Sequence, residues 1–336
     1  MATIKDIAKL AGVSVTTVSK VINNYPDISD KTKEKVIKIM EQQNYRPNAI
    51  ARSLSTSRSR SIGVFFTDHL NSGLRHPFFR DIIYGIEKTF FRKGYDLILF
   101  AHQWGDRFSY TEKCKSRHVD GAILMGMPRT DPNLDKLVNS NIPTVFIDLD
   151  IVGKNATYVI SDNVQGAKQA VNYLYSLGHI KIGMIMGQRI TKPAQDRLIG
   201  FQEELTNLGL EYNPEWIIEA EFGEEGGYQA MKRIITQEIR PSAVFCQGDE
   251  MAIGAINAIK EHGYNVPQDF SIVGFDNIEI SSYVSPGLTT IHQDKLTMGK
   301  KAASILLEMI NNPNKTFSPV VLPTKLIERE SCRKIG

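Results

Sequence analysis

Hydroxyl and ammonium side chains gather on one face of a short stretch near the amino terminus, and they are the types that grip a nucleic acid. In the run TIKDIAKLAGVSVTTVSKVINN, residues 3–24, Ile4, Ile7, Ala8 and Ala11 recur at helical spacing and Gly12 gives a backbone permissive enough for a tight turn. Ser14 then opens a second segment with Val18, Val21 and Ile22 on one side, and Val15, Thr16, Ser19 and Lys20 on the other. Two amphipathic helices joined by a glycine turn read as a helix-turn-helix. In that motif the second helix enters the DNA major groove. Its first residues reach base edges, while hydroxyls and amides hold phosphate.

The segments that must position this face follow at once. Residues 30–43 (DKTKEKVIKIMEQQ) read as a third helix, with Asp30 able to cap its start and Val36, Ile39 and Met40 as its apolar stripe. The next run, RPNAIARSLSTSRSRS, has a brief helical pattern and dissolves into alternating Ser and Arg, too short and polar to be stable unless something holds it. Charge is partitioned in the same way. Residues 1–60 hold 11 Lys/Arg against 5 Asp/Glu, whereas the other 276 hold 29 against 32, so the net charge of +3 conceals a basic amino-terminal module. Such a concentration suits phosphate neutralisation and predicts binding that weakens steeply with salt.

From Ile62 onward apolar, β-rich runs alternate with helical patterns: IGVFF at 62–66, a helix near 78–92, DLILF at 96–100, DGAILM at 120–125 and TVFID at 144–148. The alternation resumes with YVIS at 158–161, helices at 164–177, 195–208 and 250–262, and strands KIGMIM, AVFC and SIVGF. This is the pattern of βαβ units in parallel sheets. Two such sets predict two doubly wound subdomains with a ligand between the ends of their strands.

Other chemistries find little support. There is no GxxxxGK[ST], GxSxG or HExxH, Gly183 and Gly187 have the wrong spacing for a dinucleotide, and the seven histidines are scattered. Cys114, Cys246 and Cys332 form no pair or cluster, so neither a disulfide framework nor a zinc site is expected, and a reducing cytosol is the simplest home. No cofactor or metal is expected. No apolar run approaches the roughly 18 residues of a membrane span, and nothing resembles a signal peptide.

The ordered strings RPNAIARSL, SIGVFF, HPFF, VDGAILM, DNVQGA, LGHIKIGMI, DRLIGF, QGDEMAIGA, IVGFDN and LTTIHQ, with the headpiece, resemble the lactose repressor and purine repressor family of bacterial transcription regulators over essentially the whole chain. The resemblance implies an all-α helix-turn-helix headpiece (1–45), a hinge helix and linker (46–60), and an α/β core like the periplasmic sugar-binding proteins (61–336). Its N-subdomain would be about 61–160 plus 291–323 and its C-subdomain about 161–290 plus 324–336, with crossings near Ser161, Thr290 and Thr324. It places Val15, Thr16 and Lys20 at base edges, Ser14 and Thr17 near phosphate, and Thr3 and Asn48 among the DNA contacts. Lys20 stands where many relatives have arginine, and an ammonium lacks the fork that favours guanine. The hinge would fold on DNA and drive Leu54 into the minor groove as a wedge, with Ala51, Arg52 and Arg58 serving close approach and phosphate contact.

For the cleft, the resemblance implies Phe78, Phe79, Arg197, Phe222, Asp249 and Asp276: carboxylates and a guanidinium for vicinal hydroxyls, aromatic faces for apolar ring surfaces. A sugar or sugar derivative follows as effector. Arg189 and Lys192 depart from the family pattern and add positive charge near the cleft, which favours an acidic or phosphorylated sugar. The stretch from Asp106 to Asp120 looks about one helical turn shorter than usual. The chain shows no heptads for a tetramerising tail, so a homodimer on a palindromic operator is expected. The leading function is thus a repressor controlled by a small effector. The alternatives are control by a phosphocarrier protein, a transport binding protein, or a sugar- or nucleotide-metabolising enzyme.

Overall fold

The computed structural model describes residues 2–23, 25–45, 58–67, 76–102 and 109–335. The expected hinge contacts of Asn48, Ala51, Arg52 and Leu54 lie outside these residues. The chain divides into two compact units, residues 1–60 and 61–336, each taken by itself below.

In the first unit, α1 (Ile4–Ala11) starts with a capping box: the Asp6 carboxylate accepts from the Thr3 backbone N–H at 2.8 Å, and the Thr3 hydroxyl accepts from Asp6 N–H at 3.4 Å. Gly12, at φ +63°, ends it in the left-handed conformation that a Cβ would strain. The tight turn that follows brings in α2 (Val15–Ile22), capped by Ser14, whose hydroxyl accepts from Thr17 N–H at 3.0 Å. α3 (Asp30–Gln42) is capped by Ser29 rather than by the expected Asp30. The Ser29 hydroxyl accepts from Thr32 N–H, which leaves Asp30 in the first turn, where its charge complements the helix dipole. Ile7, Ala8, Ala11, Val18, Val21 and Val36 close a small core between the three helices.

The second unit holds two six-stranded sheets. The first runs in the order β2-β1-β3-β4-β5-β11, all parallel, from β1 (Ser61–Thr67), β2 (Asp96–His102), β3 (Gly121–Met125), β4 (Thr144–Ile147), β5 (Ala156–Ser161) and β11 (Val320–Leu322). The second repeats the order as β7-β6-β8-β9-β10-β12, from β6 (Ile182–Met186), β7 (Ile217–Glu219), β8 (Ala243–Cys246), β9 (Ser271–Asp276), β10 (Thr289–Gln293) and an antiparallel β12 (Thr324–Ile327). Residues 121–125, 144–147, 182–186, 243–246 and 271–276 are buried throughout, as expected of strands covered on both faces.

Helices supply the covers. α4 (Pro77–Phe91) and α11 (Lys295–Asn311) pack on one face of the first sheet, and α5 (Tyr110–Ser116) with α6 (Leu134–Val138) on the other. In the second, α9 (Glu224–Ile235) and α10 (Asp249–Glu261) oppose α7 (Asn163–Ser176) and α8 (Lys192–Asn207). Side-by-side helices approach through glycine: a Cβ on Gly299 of α11 would lie 2.1 Å from the Ile82 carbonyl oxygen of α4, and one on Gly254 of α10 would lie 1.9 Å from that of Glu224 in α9.

The chain passes between sheets three times. It leaves β5 at Ser161 to start α7, and leaves β11 at Leu322 to start β12. The middle passage is displaced from expectation: a boundary at 290/291 would cut β10, all five residues of which belong to the second sheet, so the crossing falls at Asp294. Among the described residues no helix is long and apolar enough to cross a membrane.

Candidate functional site

On the headpiece, the exposed side of α2 carries an apolar tip and hydroxyls. Val15 is 41% exposed, as are Leu10 (54%) and Ile37 (47%) elsewhere on the headpiece, so its exposure alone does not mark a contact surface. Thr16 is exposed beside it and Thr17 is half-buried. The hydroxyls of Ser14 and Thr17 are hydrogen-bonded to one another at 2.9 Å, and Thr3 is occupied with its capping box, so all three hold the helix starts. The Lys20 ammonium forms an ion pair with Asp27.

In the core, the carboxyl ends of strands from both sheets converge on a cleft of about 820 Å³, mouth included. This is where doubly wound sheets bind ligands. Arg197 is its centre. On the second turn of α8 and 4% exposed, it donates from Nε to Asn163 Oδ1 at 2.8 Å and from one terminal nitrogen to the Gln247 carbonyl at 2.5 Å. It also lies 3.7 Å above the Phe275 ring, with its remaining nitrogen 3.8 Å from Asp276 Oδ1. Burial pushes its pKa down and Asp276 and Asp148 hold it up; a guanidinium fixed in this way remains a cation.

Asp276 closes β9 at φ +111°, a region that non-glycine residues seldom adopt. That strain is offset by its surroundings: the Gln293 side-chain amide donates to Oδ1 at 2.6 Å, and the buried Lys295 ammonium donates to the Asp276 carbonyl at 2.5 Å. Opposite stands Asp148, just past the end of β4 and also at positive φ (+59°). Its Oδ1 is buried with no hydrogen-bond partner among the described residues, and burial pushes the carboxyl up to about 7, against the pull of Arg197 and with Asp276 and Asp196 adding to the rise. An acceptor left open in a cleft is an invitation to a donor.

Phe78 and Phe79, at the start of α4, line the N-subdomain wall, and Phe222 lines the facing one. Phe79 and Phe222 each have a glycine seat. A Cβ on Gly187 would lie 2.0 Å from the Phe222 ring, and one on Gly126 would lie 3.2 Å from that of Phe79. His76 caps α4 by accepting from Phe78 N–H at 3.3 Å, and its Nε2 lies 3.5 Å from Glu250 Oε2 on the other subdomain. Burial raises the Glu250 carboxyl, which His76 counters.

Of the six cleft residues expected from sequence, Phe78, Phe79, Arg197, Phe222 and Asp276 line the cavity together. Asp249 does not. It is fully buried beneath the second sheet, where Oδ2 accepts from Ile278 N–H at 2.8 Å and Oδ1 from the Thr290 hydroxyl, and desolvation pushes it up to about 8. It ties the loop after β9 to β10, and its neighbour Glu250 faces the cleft instead. Arg189 and Lys192 also miss the lining: Arg189 pairs with Glu219 at 3.1 Å, and Lys192 with Asp196 and, at 3.8 Å, Asp150. Their charges are spent locally. Asp148, His76 and Glu250 had no place in the sequence reading; Asp148 was visible there as the acidic end of TVFID. Among the described residues no group of three or more His, Cys, Asp or Glu side chains is arranged to hold a metal ion.

The family model "Bacterial regulatory proteins, lacI family" matches residues 3–48, and that of the periplasmic binding protein-like domain matches 171–332. The HTH-type transcriptional repressor PurR of Haemophilus influenzae (strain KW20 / Rd) is 40% identical over 343 residues, with all of both chains covered. The chain belongs to the LacI family. The ribose operon repressor of the same strain is 38% identical over 98% of each chain. Among solved structures, the Lac repressor dimer bound to operator and the anti-inducer ONPF superimposes with a TM-score of 0.84 at 29% identity, covering 99% of both chains. This LacI-family chain is therefore a DNA-binding repressor with a periplasmic-binding-protein-like core, and it is not an enzyme.

Proposed function

We propose that this LacI-family repressor binds a palindromic operator as a homodimer, and that a neutral, polyhydroxylated small molecule of the carbohydrate class occupies the core cleft and sets operator affinity. The observation that carries the effector class is the arrangement of Arg197, Asp276 and Asp148 between aromatic walls. Two carboxylates and one guanidinium hold vicinal hydroxyls by paired hydrogen bonds, and Phe79 and Phe222 cover the apolar faces of a ring. Anionic sugars fit poorly. Three carboxyl groups (Asp276, Glu250 and Asp148, the last only partly ionised near neutral pH) face one arginine whose Nε and one terminal nitrogen are already committed, and the Arg189 and Lys192 charges are compensated outside the lining. The positive charge expected from Arg189 and Lys192 for an acidic or phosphorylated sugar is therefore missing from the lining.

The homodimer and operator readings draw support from the operator-bound dimer of the Lac repressor, and the sugar reading from the relative named ribose operon repressor. Val15, Thr16 and Lys20 serve as base readers in this account, with Ser14, Thr17 and Thr3 near phosphate. Titration calorimetry of the purified full chain against ribose, other neutral sugars, nucleobases and sugar phosphates tests the effector class. A neutral sugar is expected to bind, and Asp276→Asn to weaken it by roughly 10- to 100-fold, the loss of a charge-assisted hydrogen bond. Binding confined to sugar phosphates, or untouched by Asp276→Asn, would overturn the assignment.

A further inference from the structure

Lys20 does not stand free on the reading helix. It lies in the last turn of α2, and its ammonium pairs with Asp27, seven residues on and just before α3. Described residues around the pair are tied down: Tyr25 N–H donates to the Lys20 carbonyl at 3.0 Å, Asn23 Nδ2 donates to the Ser19 carbonyl at 2.9 Å, and Ile28, next to Asp27, packs on the headpiece core. Asp27 therefore sits beside Lys20 because the turn puts it there. Lys33, the other lysine acting on Asp27, is engaged with Asp30 at 3.8 Å.

A carboxylate 52% exposed in the turn beside a helix that approaches phosphates is repelled unless a cation accompanies it. We propose that Asp27 is a positioning residue for DNA reading: it holds the Lys20 ammonium in one orientation for a base edge and withholds its charge from phosphates. The inference rests on the reading of Lys20 as a base contact. A lysine by itself is a point charge on a flexible stem, which any nearby phosphate can capture. With one of its three protons given to Asp27, two donors remain, in directions fixed by the pair. The pair is neutral as a unit, so it releases no counterion and adds nothing to sequence-independent binding. Asp27 thus widens the gap between operator and random DNA.

The test uses the full-length protein and two duplexes, the palindrome that the wild type selects from a randomised library and a random duplex of equal length, each over a range of salt. Asp27→Asn should bind the random duplex roughly five- to tenfold more tightly, with a salt slope steeper by about one. It should lower the operator-to-random ratio at least about fivefold, and broaden the base preference opposite Lys20 on reselection. In a Lys20→Ala background Asp27→Asn should leave the ratio unchanged. Unchanged helicity and melting, repeated with Asp27→Ala, separate positioning from damage to the headpiece. Equal shifts on both duplexes, or the same ratio loss with and without Lys20, overturn the inference alone. If Lys20→Ala itself leaves the ratio intact, the base-contact reading fails and takes the inference with it.

Discussion

Asp148 is the residue whose titration is most exposed to experiment. Its carboxyl rises to about 7 through burial, with Arg197 pulling the other way, so the folded protein keeps a proton that the unfolded chain releases near pH 4. The folded state binds more protons in that window, and this contribution to stability is complete below about pH 4 and lost as pH climbs through 7. Asp249, raised to about 8, acts in the same direction. Ligand-free Asp148→Asn should therefore gain melting temperature relative to wild type between pH 5 and 8, the gap widening with pH. A gap independent of pH would mean that Asp148 is ionised throughout. The residue also marks a limit of sequence reading. Asp249 follows a strand as Asp148 and Glu250 do, and only the three-dimensional path shows that it turns under the sheet to Ile278 and Thr290 while Glu250 takes the cleft.

At the scale of elements, glycine sets how closely helices run. A Cβ on Gly254 would meet the Glu224 carbonyl oxygen of the neighbouring helix at 1.9 Å, so Gly254→Ala must force α9 and α10 apart. A loss of about 1–3 kcal/mol in stability is expected, read as a fall in melting temperature with the headpiece helices intact. An unchanged melting temperature would show that the pair can slide without cost. The strong strands were legible in sequence because burial on both faces makes them continuous apolar runs, as in GAILM and AVFC. Helices 4, 7, 8 and 10 began within three residues of expectation, their starts marked by apolar periodicity. β7, only three residues long, and α9, which begins EEGG, carried no such signal, since their placement depends on the sheet beside them. The middle crossing was misplaced because TTIHQ reads as a strand without saying which sheet it joins.

For the whole molecule, the proposed function joins a DNA-reading headpiece and a cleft lined by two subdomains in one chain. His76 with Glu250, in the cleft, and Lys192 with Asp150, outside its lining, join elements of the two sheets, and the proposed effector would act by changing these contacts between subdomains. Leu54, outside the described residues, is the proposed minor-groove wedge. Leu54→Ala should weaken operator binding at least about tenfold while effector affinity and melting stay as in wild type, and equal operator affinity would remove the wedge. The most direct test of the coupling is a titration of the full-length protein onto its selected palindrome at low and at physiological salt, with and without the sugar identified by calorimetry. Palindrome-specific binding is expected to fall steeply with salt and to shift by roughly 5- to 150-fold with the sugar, and in Asp276→Asn the same shift should need roughly 10- to 100-fold more sugar. A folded protein that prefers no palindromic duplex at low salt, with or without the sugar, would contradict the proposed function.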